Sequence, residues 1–287
     1  MDFYKYHGLG NDYIVIDPGR NDVSLTPENI ILICDRNLGI GSDGILHGPF
    51  FDNGSISVRI FNPDGSEAEK SGNGARIFTR HLHEHGHIRG DTAAFDTLGG
   101  PITARVLDTG TYGIRVNMGT CAFDSEKIPA AGPRREVINE AIEVKGRTFR
   151  MTCVSVGNPH CVIPLDDISK GLACDIGPLI ERHPLFPNRI NMQLAKVIDR
   201  RTLRIEIWER GAGYTLASGS SSCAAACACR RLGLVDGSVT VLMPGGPLSI
   251  EIGGDWSVAM TGPVASVSEG NFTPEFRRLL DRGAHKS

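Results

Sequence analysis

The sequence has few aromatic residues, no excess of one charge and no long apolar run. Aromatic residues make up 6% of the 287 residues, and the formal net charge is −3. This balance argues against nucleic-acid binding, which favours a basic surface. No apolar run reaches the ~18 residues that span a bilayer, and residues 1–18 lack the pattern of a signal peptide. We therefore expect no nucleic-acid or membrane partner and no export.

The eight cysteines are scattered, and a chain this long can build its own apolar core without a disulfide framework. With 40% hydrophobic residues it is not a disordered chain. At roughly 100–200 residues per domain, it forms one large domain or two ordinary ones. These features predict a soluble cytoplasmic protein with reduced thiols.

The chain repeats itself at an offset of 147 residues. A Gly-Asn pair followed by Val-Ile occurs at residues 10–16 and again at 157–163. An alternating apolar run at 58–62 precedes Ser71-Gly72, and the run at 205–209 precedes Ser218-Gly219 at the same offset. The repeat predicts two homologous halves related by a pseudo-twofold axis. A turn-rich stretch near 122–137 separates them, which gives residues 1–123 with 265–287 and residues 124–264.

Period-two patterns predict strands, and two stretches predict helices. The strands fall at 13–17, 57–62, 102–107, 114–118, 153–156, 203–208, 238–243 and 248–252. One helix should follow residues 71–74 and run to Gly86; the other should run over 223–232, with Gly233 at its C-terminal cap. The second helix consists of small residues and suits complete burial, so we interpret its cysteines as packing residues.

Each Ser-Gly turn ends a strand region and opens a helix, which presents free backbone N–H groups at the positive end of the helix dipole. Two such ends facing one another would bind a carboxylate. An ordinary helix N-cap is the alternative for either turn alone, because Ser, Asn and Gly are favoured there. The two symmetry-related positions favour the functional interpretation.

Polar residues cluster in or near the repeated segments and suit a small zwitterion with a second carboxylate, which Arg can bind in bidentate fashion. They are Asn11, Asn62, Asn158, Asn191, Glu209 and Arg210. His160 could pair with Glu209 as an acid/base dyad, although a single histidine is more often structural.

A run of alternating histidines, at 81, 83, 85 and 87, suggests a metal site. On a helix only His81 and His85 share a face, and His87 lies beyond Gly86. We therefore predict a solvated helix end and no metal. The glycine-rich residues 39–44 lack the lysine of a phosphate-binding loop.

Five motifs together resemble the diaminopimelate epimerase family, over residues 8 to about 226. They are GLGND at 8–12, NPDGS at 62–66, GNGAR at 72–76, GNPH at 157–160 and ERGAG at 209–213. The resemblance implies an α+β fold of two pseudo-symmetric halves, each a mixed β-sheet or barrel wrapped around a central helix. It also implies an active site in the cleft between the halves and inversion of an amino-acid α-carbon by two bases, with no cofactor.

The resemblance also implies roles for individual residues. The α-carboxylate of the substrate would lie at the helix N-termini, at Gly72, Asn73, Gly219 and Ser220. Its distal end would be bound by Asn62, Asn158, Asn191 and Arg210, and its α-amino group by Glu209. Asn11, in the first motif, joins the substrate-binding set.

The sequence departs from the family at the two bases, which are cysteines in the family and are Ser71 and Ser218 here. Tyr214 also stands where the family usually has Glu. A serine hydroxyl is a poorer base than a thiolate and needs an activating neighbour, such as His160. The chain is a natural variant with serine bases, a deliberately substituted chain, or a homologue that binds without inverting. The distinctive residues around both serines favour a natural branch.

We expect an isomerase of lysine and peptidoglycan precursor biosynthesis that interconverts LL- and meso-diaminopimelate, with the two serine side chains facing one another across the substrate. The alternatives are an epimerase or racemase of a different amino acid, an enzyme of the same fold with a different base arrangement, such as the phenazine-biosynthesis-like isomerases, and a non-catalytic amino-acid-binding homologue. The expected partner is a small-molecule amino acid. A homodimer is left open.

Overall fold

A computed structural model describes residues 1–284, with side chains described as far as residue 282. The chain divides into two compact units: Met1–Val116 together with the segment from Gly262, and Asn117–Thr261. Within the described residues, no helix is both long and apolar enough to cross a membrane.

The elements follow one another in the same way in the two parts of the chain. Residues 1–120 form β1 (Phe3–Gly8), β2 (Asn11–Ile16), α1 (Pro27–Cys34), β3 (Ile45–Asp52), β4 (Ser55–Phe61), β5 (Glu67–Ala68), α2 (Gly72–Glu84), β6 (Thr92–Thr97), β7 (Gly100–Asp108) and β8 (Gly113–Thr120). Residues 121–262 form β9 (Glu140–Val144), β10 (Arg147–Ser155), β11 (Pro159–Pro164), α3 (Lys170–Glu181), β12 (Asn191–Asp199), β13 (Thr202–Glu209), β14 (Gly213–Thr215), α4 (Gly219–Arg231), β15 (Ser238–Met243), β16 (Gly246–Ile252) and β17 (Ser257–Gly262). β18 (Ala265–Gly270) and α5 (Pro274–Ala284) follow.

In the first unit, β1 pairs antiparallel with both β18 and β2. β2 then pairs parallel with β3, β3 antiparallel with β4, and β4 parallel with β6. β6, β7 and β8 continue as an antiparallel meander. The parallel steps follow from the crossovers that contain α1 and α2, because parallel neighbours need a long connection.

The second unit repeats this order. β10 pairs antiparallel with β9 and β11, β11 parallel with β12, β12 antiparallel with β13, and β13 parallel with β15. β15, β16 and β17 form the antiparallel meander. Because α3 and α4 occupy the crossovers that α1 and α2 occupy in the first unit, the two units have the same topology. The predicted α+β class with a duplicated mixed sheet is confirmed.

One helix lies inside the curved sheet of each unit. α2 contacts β1, β2, β3, β6 and β7, and α4 contacts β10, β11, β12, β13, β15 and β16. All seven residues at 223–229 of α4 have no exposed surface, and all are Ala or Cys. Small side chains let the strands approach the helix from several directions, so the predicted packing role of these cysteines is confirmed. All eight cysteines are free thiols.

The structure corrects two sequence predictions. Both central helices begin directly after the serines, at Gly72 and Gly219, rather than several residues later. The predicted C-terminal glycine is correct, since Gly233 follows the cap residue with φ +74°. The histidine run is not a solvated helix end: His81 has no exposed surface, because α2 turns that face toward β1.

Candidate active site

Ser71 is the N-cap of α2. Its backbone is extended, with φ −138° and ψ 121°, and its Oγ accepts a hydrogen bond from the N–H of Gly74 at 3.0 Å. The hydroxyl of Tyr13, on β2, lies 3.0 Å from the same Oγ. Capping uses one lone pair of the serine oxygen, and its proton remains available for donation.

Ser218 has the same place in the second unit. It caps α4 with φ −150° and ψ 124°, and its Oγ accepts from the N–H of Ser221 at 3.4 Å. The Oγ of Ser220 lies 3.5 Å away, and Ser218 is only 4% exposed. The oxygen of Ser218 therefore has longer contacts with its neighbours than the oxygen of Ser71.

The helix starts put the predicted carboxylate-binding residues in the first turn. Gly72 and Asn73 occupy the first two positions of α2, and Gly219 and Ser220 occupy those of α4. The first N–H groups of a helix have no intrahelical acceptor, and the helix dipole favours an anion beside them. Each unit thus has the backbone geometry that a carboxylate needs.

A chain of side-chain hydrogen bonds orients the polar residues of the first unit. The guanidinium of Arg76 donates to Asn73 Oδ1 at 2.7 Å, and Asn73 Nδ2 donates to Asn11 Oδ1 at 3.0 Å. Asn11 Nδ2 in turn donates to Asp43 Oδ2 at 3.0 Å. Fixed amide orientations favour a preorganised site, because less side-chain freedom is lost on binding.

Arg76 supports this series of hydrogen bonds, and the sequence analysis did not identify it as a site residue. It has no exposed surface, and a Cβ at Gly8 would come within 2.7 Å of its Nη2. Gly8 therefore makes room for the guanidinium beneath the first turn of α2. The sequence held one indication of this role: Asn73 and Arg76 are three residues apart, which places both on one face of the helix.

Asn62 follows the end of β4, where the chain turns. Its Nδ2 donates to Ser66 Oγ at 3.0 Å, and its carbonyl accepts from the N–H of Gly65 at 3.1 Å. The side chain is half-buried. Asp64 also accepts from the N–H and the hydroxyl of Ser66, so the polar residues of this segment satisfy one another where the strand ends.

In the second unit, Asn191 connects the start of β11 to the loop that follows β13. Its Nδ2 donates to the carbonyl of Pro159 at 2.8 Å, and its Oδ1 accepts from the N–H of Arg210 at 2.9 Å. The guanidinium of Arg210 donates to the carbonyl of Asn188 at 3.1 Å and is largely exposed. The structure thus brings Asn191 and Arg210 together with the segment of Asn158.

His160 is buried beside Asn158. Its Nε2 lies 2.9 Å from Asn158 Oδ1, and the residue has no exposed surface. Burial, with a smaller contribution from the charge of Arg210, lowers the pKa of His160 to about 3 against an opposing interaction with Gln193. At neutral pH His160 is therefore a neutral group that orients Asn158. Its dyad with Glu209, which lies at the end of β13, stays a prediction.

The hydroxyl of Tyr214 donates to Glu206 Oε2 at 2.6 Å, and Lys170 lies over its ring, 5.0 Å from the centroid. Burial, and then Glu206, raise the pKa of Tyr214. Within this unit a second carboxylate, Glu181, accepts from the indole of Trp208 at 2.8 Å and from the N–H of Gly211 at 3.2 Å. Glu181 supports the ERGAG loop and was not identified from the sequence.

The buried histidines predict a loss of stability in mild acid. Burial lowers the pKa of His160 to about 3 and that of His47 to about 4, from an ordinary value of 6.5. Between pH 6.5 and about pH 4, both histidines bind a proton in the unfolded chain but stay neutral in the folded chain. Stability is therefore complete above pH 6.5 and falls below it, by about 1.4 kcal/mol per pH unit for each histidine.

Urea unfolding at pH 7.5, 6.0 and 5.0 measures this slope, and His160→Gln should make it shallower. Equal slopes for both proteins would contradict the assignment.

Comparisons with known proteins agree with this arrangement. The diaminopimelate epimerase family profile matches residues 3–123 and 152–267. Diaminopimelate epimerase 2 of Nostoc sp. (strain PCC 7120) is 51% identical over 276 residues, which cover 96% of each chain. The probable proline racemase of Agrobacterium radiobacter K84 superposes with a TM-score of 0.69 at 14% identity, covering 95% of this chain and 93% of that one. A PhzF-family phenazine biosynthesis protein of Bacillus anthracis gives 0.67 at 14% identity, covering 94% and 98%.

The family match places the chain among the isomerases, in the epimerase class, and its fold is shared with the proline racemase and PhzF-family structures. Within this class, the chain belongs to the diaminopimelate epimerase family.

Proposed function

We propose that this protein interconverts LL- and meso-diaminopimelate by proton transfer at the α-carbon, with Ser71 and Ser218 as the two bases. The observation that carries the proposal is the matched pair of N-caps: each serine starts a central helix whose first-turn N–H groups can receive a carboxylate. Family membership and the name of the Nostoc relative support the substrate.

The reaction moves one proton off the α-carbon and another onto its opposite face. One serine, as the alkoxide, takes the α-proton, and the electron pair of the C–H bond delocalises into the carboxylate. The other serine gives its hydroxyl proton to the opposite face and becomes the alkoxide. The N–H groups of Gly72, Asn73, Gly219 and Ser220 would stabilise the developing charge without rearranging.

Further residues would recognise the rest of the substrate. Arg210 offers a planar guanidinium to the distal carboxylate, while Asn62, Asn158 and Asn191, with Asn11, offer amides to the distal groups. Glu209 would hold the α-amino group. The substrate is a precursor of lysine and of peptidoglycan, which favours a cytoplasmic enzyme. Light scattering, which measures the molar mass in solution, tests whether the protein forms a homodimer.

Deuterium incorporation at the α-carbon in deuterated water tests the proposal. LL- and meso-diaminopimelate are incubated separately with the protein, and incorporation is followed by mass spectrometry. We expect slow, protein-dependent exchange from both substrates. A second candidate, a non-catalytic binder, is favoured by serine at both base positions. Calorimetric binding of diaminopimelate without any exchange would support the binder and overturn the epimerase.

Tyr13 should matter for one of the two bases. When Ser71 is an alkoxide, the Tyr13 hydroxyl at 3.0 Å donates to it and stabilises the charge, in addition to the Gly74 N–H. Tyr13→Phe should therefore lower exchange by about 10-fold or more, the loss expected for a charge-assisted hydrogen bond of ~1.5–3 kcal/mol. The loss should be larger for the substrate whose proton Ser71 removes.

Tyr112→Phe is the matched control, since that hydroxyl contacts His83 rather than a serine. Equal losses in the two variants would contradict the role of Tyr13.

A further inference from the structure

A second cluster of reactive side chains lies at the other end of α2. Asp17, His81 and His87 each present a ligand atom, and these atoms all lie within 4.8 Å of one another. His81 is ten residues beyond Ser71 along α2, which corresponds to about 15 Å. The cluster is therefore separate from the groups assigned to the epimerase reaction.

The C-terminal end of α2 explains how His87 reaches His81. The N–H of Gly86 bonds to the carbonyl of His83, and the N–H of His87 bonds to the carbonyl of Leu82. Gly86 has φ +71°, so the chain reverses in a Schellman motif. This reversal returns the His87 side chain to Asp17, which directly follows β2, with Nε2 3.6 Å from Oδ2.

Two imidazole nitrogens in this cluster are buried without a hydrogen-bond partner: Nε2 of His81 and Nε2 of His87. His81 has no exposed surface and His87 is 18% exposed. An unpaired buried polar atom is costly, and in a native protein it indicates a missing partner. Here both nitrogens belong to the same group as a buried carboxylate, which is 3% exposed.

The hydrogen bonds around His81 leave the lone pair of Nε2 available. The hydroxyl of Tyr6 donates to Glu84 Oε2 at 3.2 Å, since a carboxylate only accepts. The Tyr6 oxygen can then accept from His81 Nδ1–H, 3.4 Å away. Histidines that bind metals commonly donate their other ring N–H in this way.

We propose that Asp17, His81 and His87 form a binding site for a divalent transition-metal ion of the zinc class. Two imidazoles and one carboxylate are a donor set that zinc accepts, with a water in the fourth position. Metal–ligand distances of about 2.0–2.2 Å place tetrahedral ligand atoms about 3.3–3.6 Å apart. The 3.6 Å between Asp17 and His87 is close to this value, and small side-chain rotations bring in His81.

Arg20 is a positively charged neighbour of the cluster that opposes the ion. Its Nε lies 3.2 Å from Asp17 Oδ2, and its Nη1 donates to the hydroxyl of Tyr4 at 3.1 Å. The Arg20 side chain is 41% exposed, so it can move aside when a metal takes Oδ2. Asp17 Oδ1 stays occupied by the N–H of Gly19 at 2.8 Å, which fixes the carboxylate for monodentate binding.

The bound ion would hold the C-terminal end of α2 against the end of β2. Because a ligand that binds only the folded state stabilises it, the metal should raise the unfolding temperature.

Calorimetric titration of the untagged, chelator-treated protein with Zn²⁺ tests the proposal. We expect one site per chain and a higher unfolding temperature with Zn²⁺. His87→Gln and Asp17→Asn should weaken binding by at least about tenfold and remove the thermal shift, whereas Arg20→Gln should tighten binding by removing a positive charge. His87 is partly exposed, so its variant keeps the test independent of any folding defect at buried His81.

His83→Ala is the matched control. His83 is on the same helix, but its Nδ1 faces Tyr112 at 3.4 Å, so this change should leave the affinity unaltered. Absence of Zn²⁺ binding, or binding that His87→Gln and Asp17→Asn leave unchanged, would overturn the proposal.

Discussion

Replacing Ser71 and Ser218 together by cysteine should raise α-proton exchange of diaminopimelate by about 10²-fold or more, the range that a well-matched general base contributes. A thiol ionises near pH 8.5, and a helix N-terminus lowers that value further, so a useful fraction is thiolate at neutral pH. Both serines already lie at such N-termini. The measurement is deuterium incorporation from LL- and meso-diaminopimelate, run separately.

Each single replacement should help less than the pair, because inversion needs a proton removed on one face and delivered on the other. Ser71→Gly and Ser218→Gly are the matched controls: glycine keeps most of the N-cap preference, within a few tenths of a kcal/mol, but has no hydroxyl. Both should abolish exchange. If the unchanged protein exchanges as fast as the double-cysteine protein, serine is an activated base here, and Tyr13 is the neighbour to test.

Phe78→Ala should lower the free energy of unfolding by about 3–5 kcal/mol, the usual cost of removing a buried phenylalanine ring. Phe78 lies on α2 with no exposed surface, and its ring packs edge-on against that of Phe95, with 5.0 Å between the ring centroids. A Cβ at Gly48 would come within 3.3 Å of its Cζ, so the strand backbone is close to the ring. Urea unfolding measures the loss.

Phe51→Ala is the control, since that ring is 61% exposed on β3 and its removal should cost far less. Similar losses in the two variants would mean that α2 is not the central packing element of its unit. A large loss confined to Phe78→Ala would connect the position of Ser71 to the core, because Ser71 caps the helix that contains Phe78.

The repeat in the sequence predicted the duplicated fold because the same strand and turn motifs recur in the same order at one constant offset. The strands predicted at 203–208 and 238–243 correspond to β13 (Thr202–Glu209) and β15 (Ser238–Met243). β15 alternates exposed and buried residues without exception, which is the pattern a one-sided strand leaves in a sequence. β12 was missed because its first five residues, 191–195, are all buried and show no alternation.

The sequence motifs predict the polar residues of the proposed site, but they do not predict the residues that support them. Arg76 and Glu181 are buried charges that hold Asn73 and the loop after Glu209, and burial cannot be read from a residue type that is usually exposed. The histidine run was wrongly taken as solvated for a related reason. The bond from His87 N–H to the Leu82 carbonyl reverses the chain, and helical periodicity ends before that reversal.

In the proposed mechanism, capping the helix and removing a proton make opposite demands on the same two oxygen atoms, those of Ser71 and Ser218. Each Oγ accepts a backbone N–H that the helix would otherwise leave unsatisfied, and serine is among the best residues for that task. Sulfur is a weak acceptor, so a cysteine at either position starts its helix less well while it removes a proton better. We therefore expect the protein with two serines to be the more stable and the slower of the two. The double-cysteine protein should unfold at a lower temperature and turn over faster.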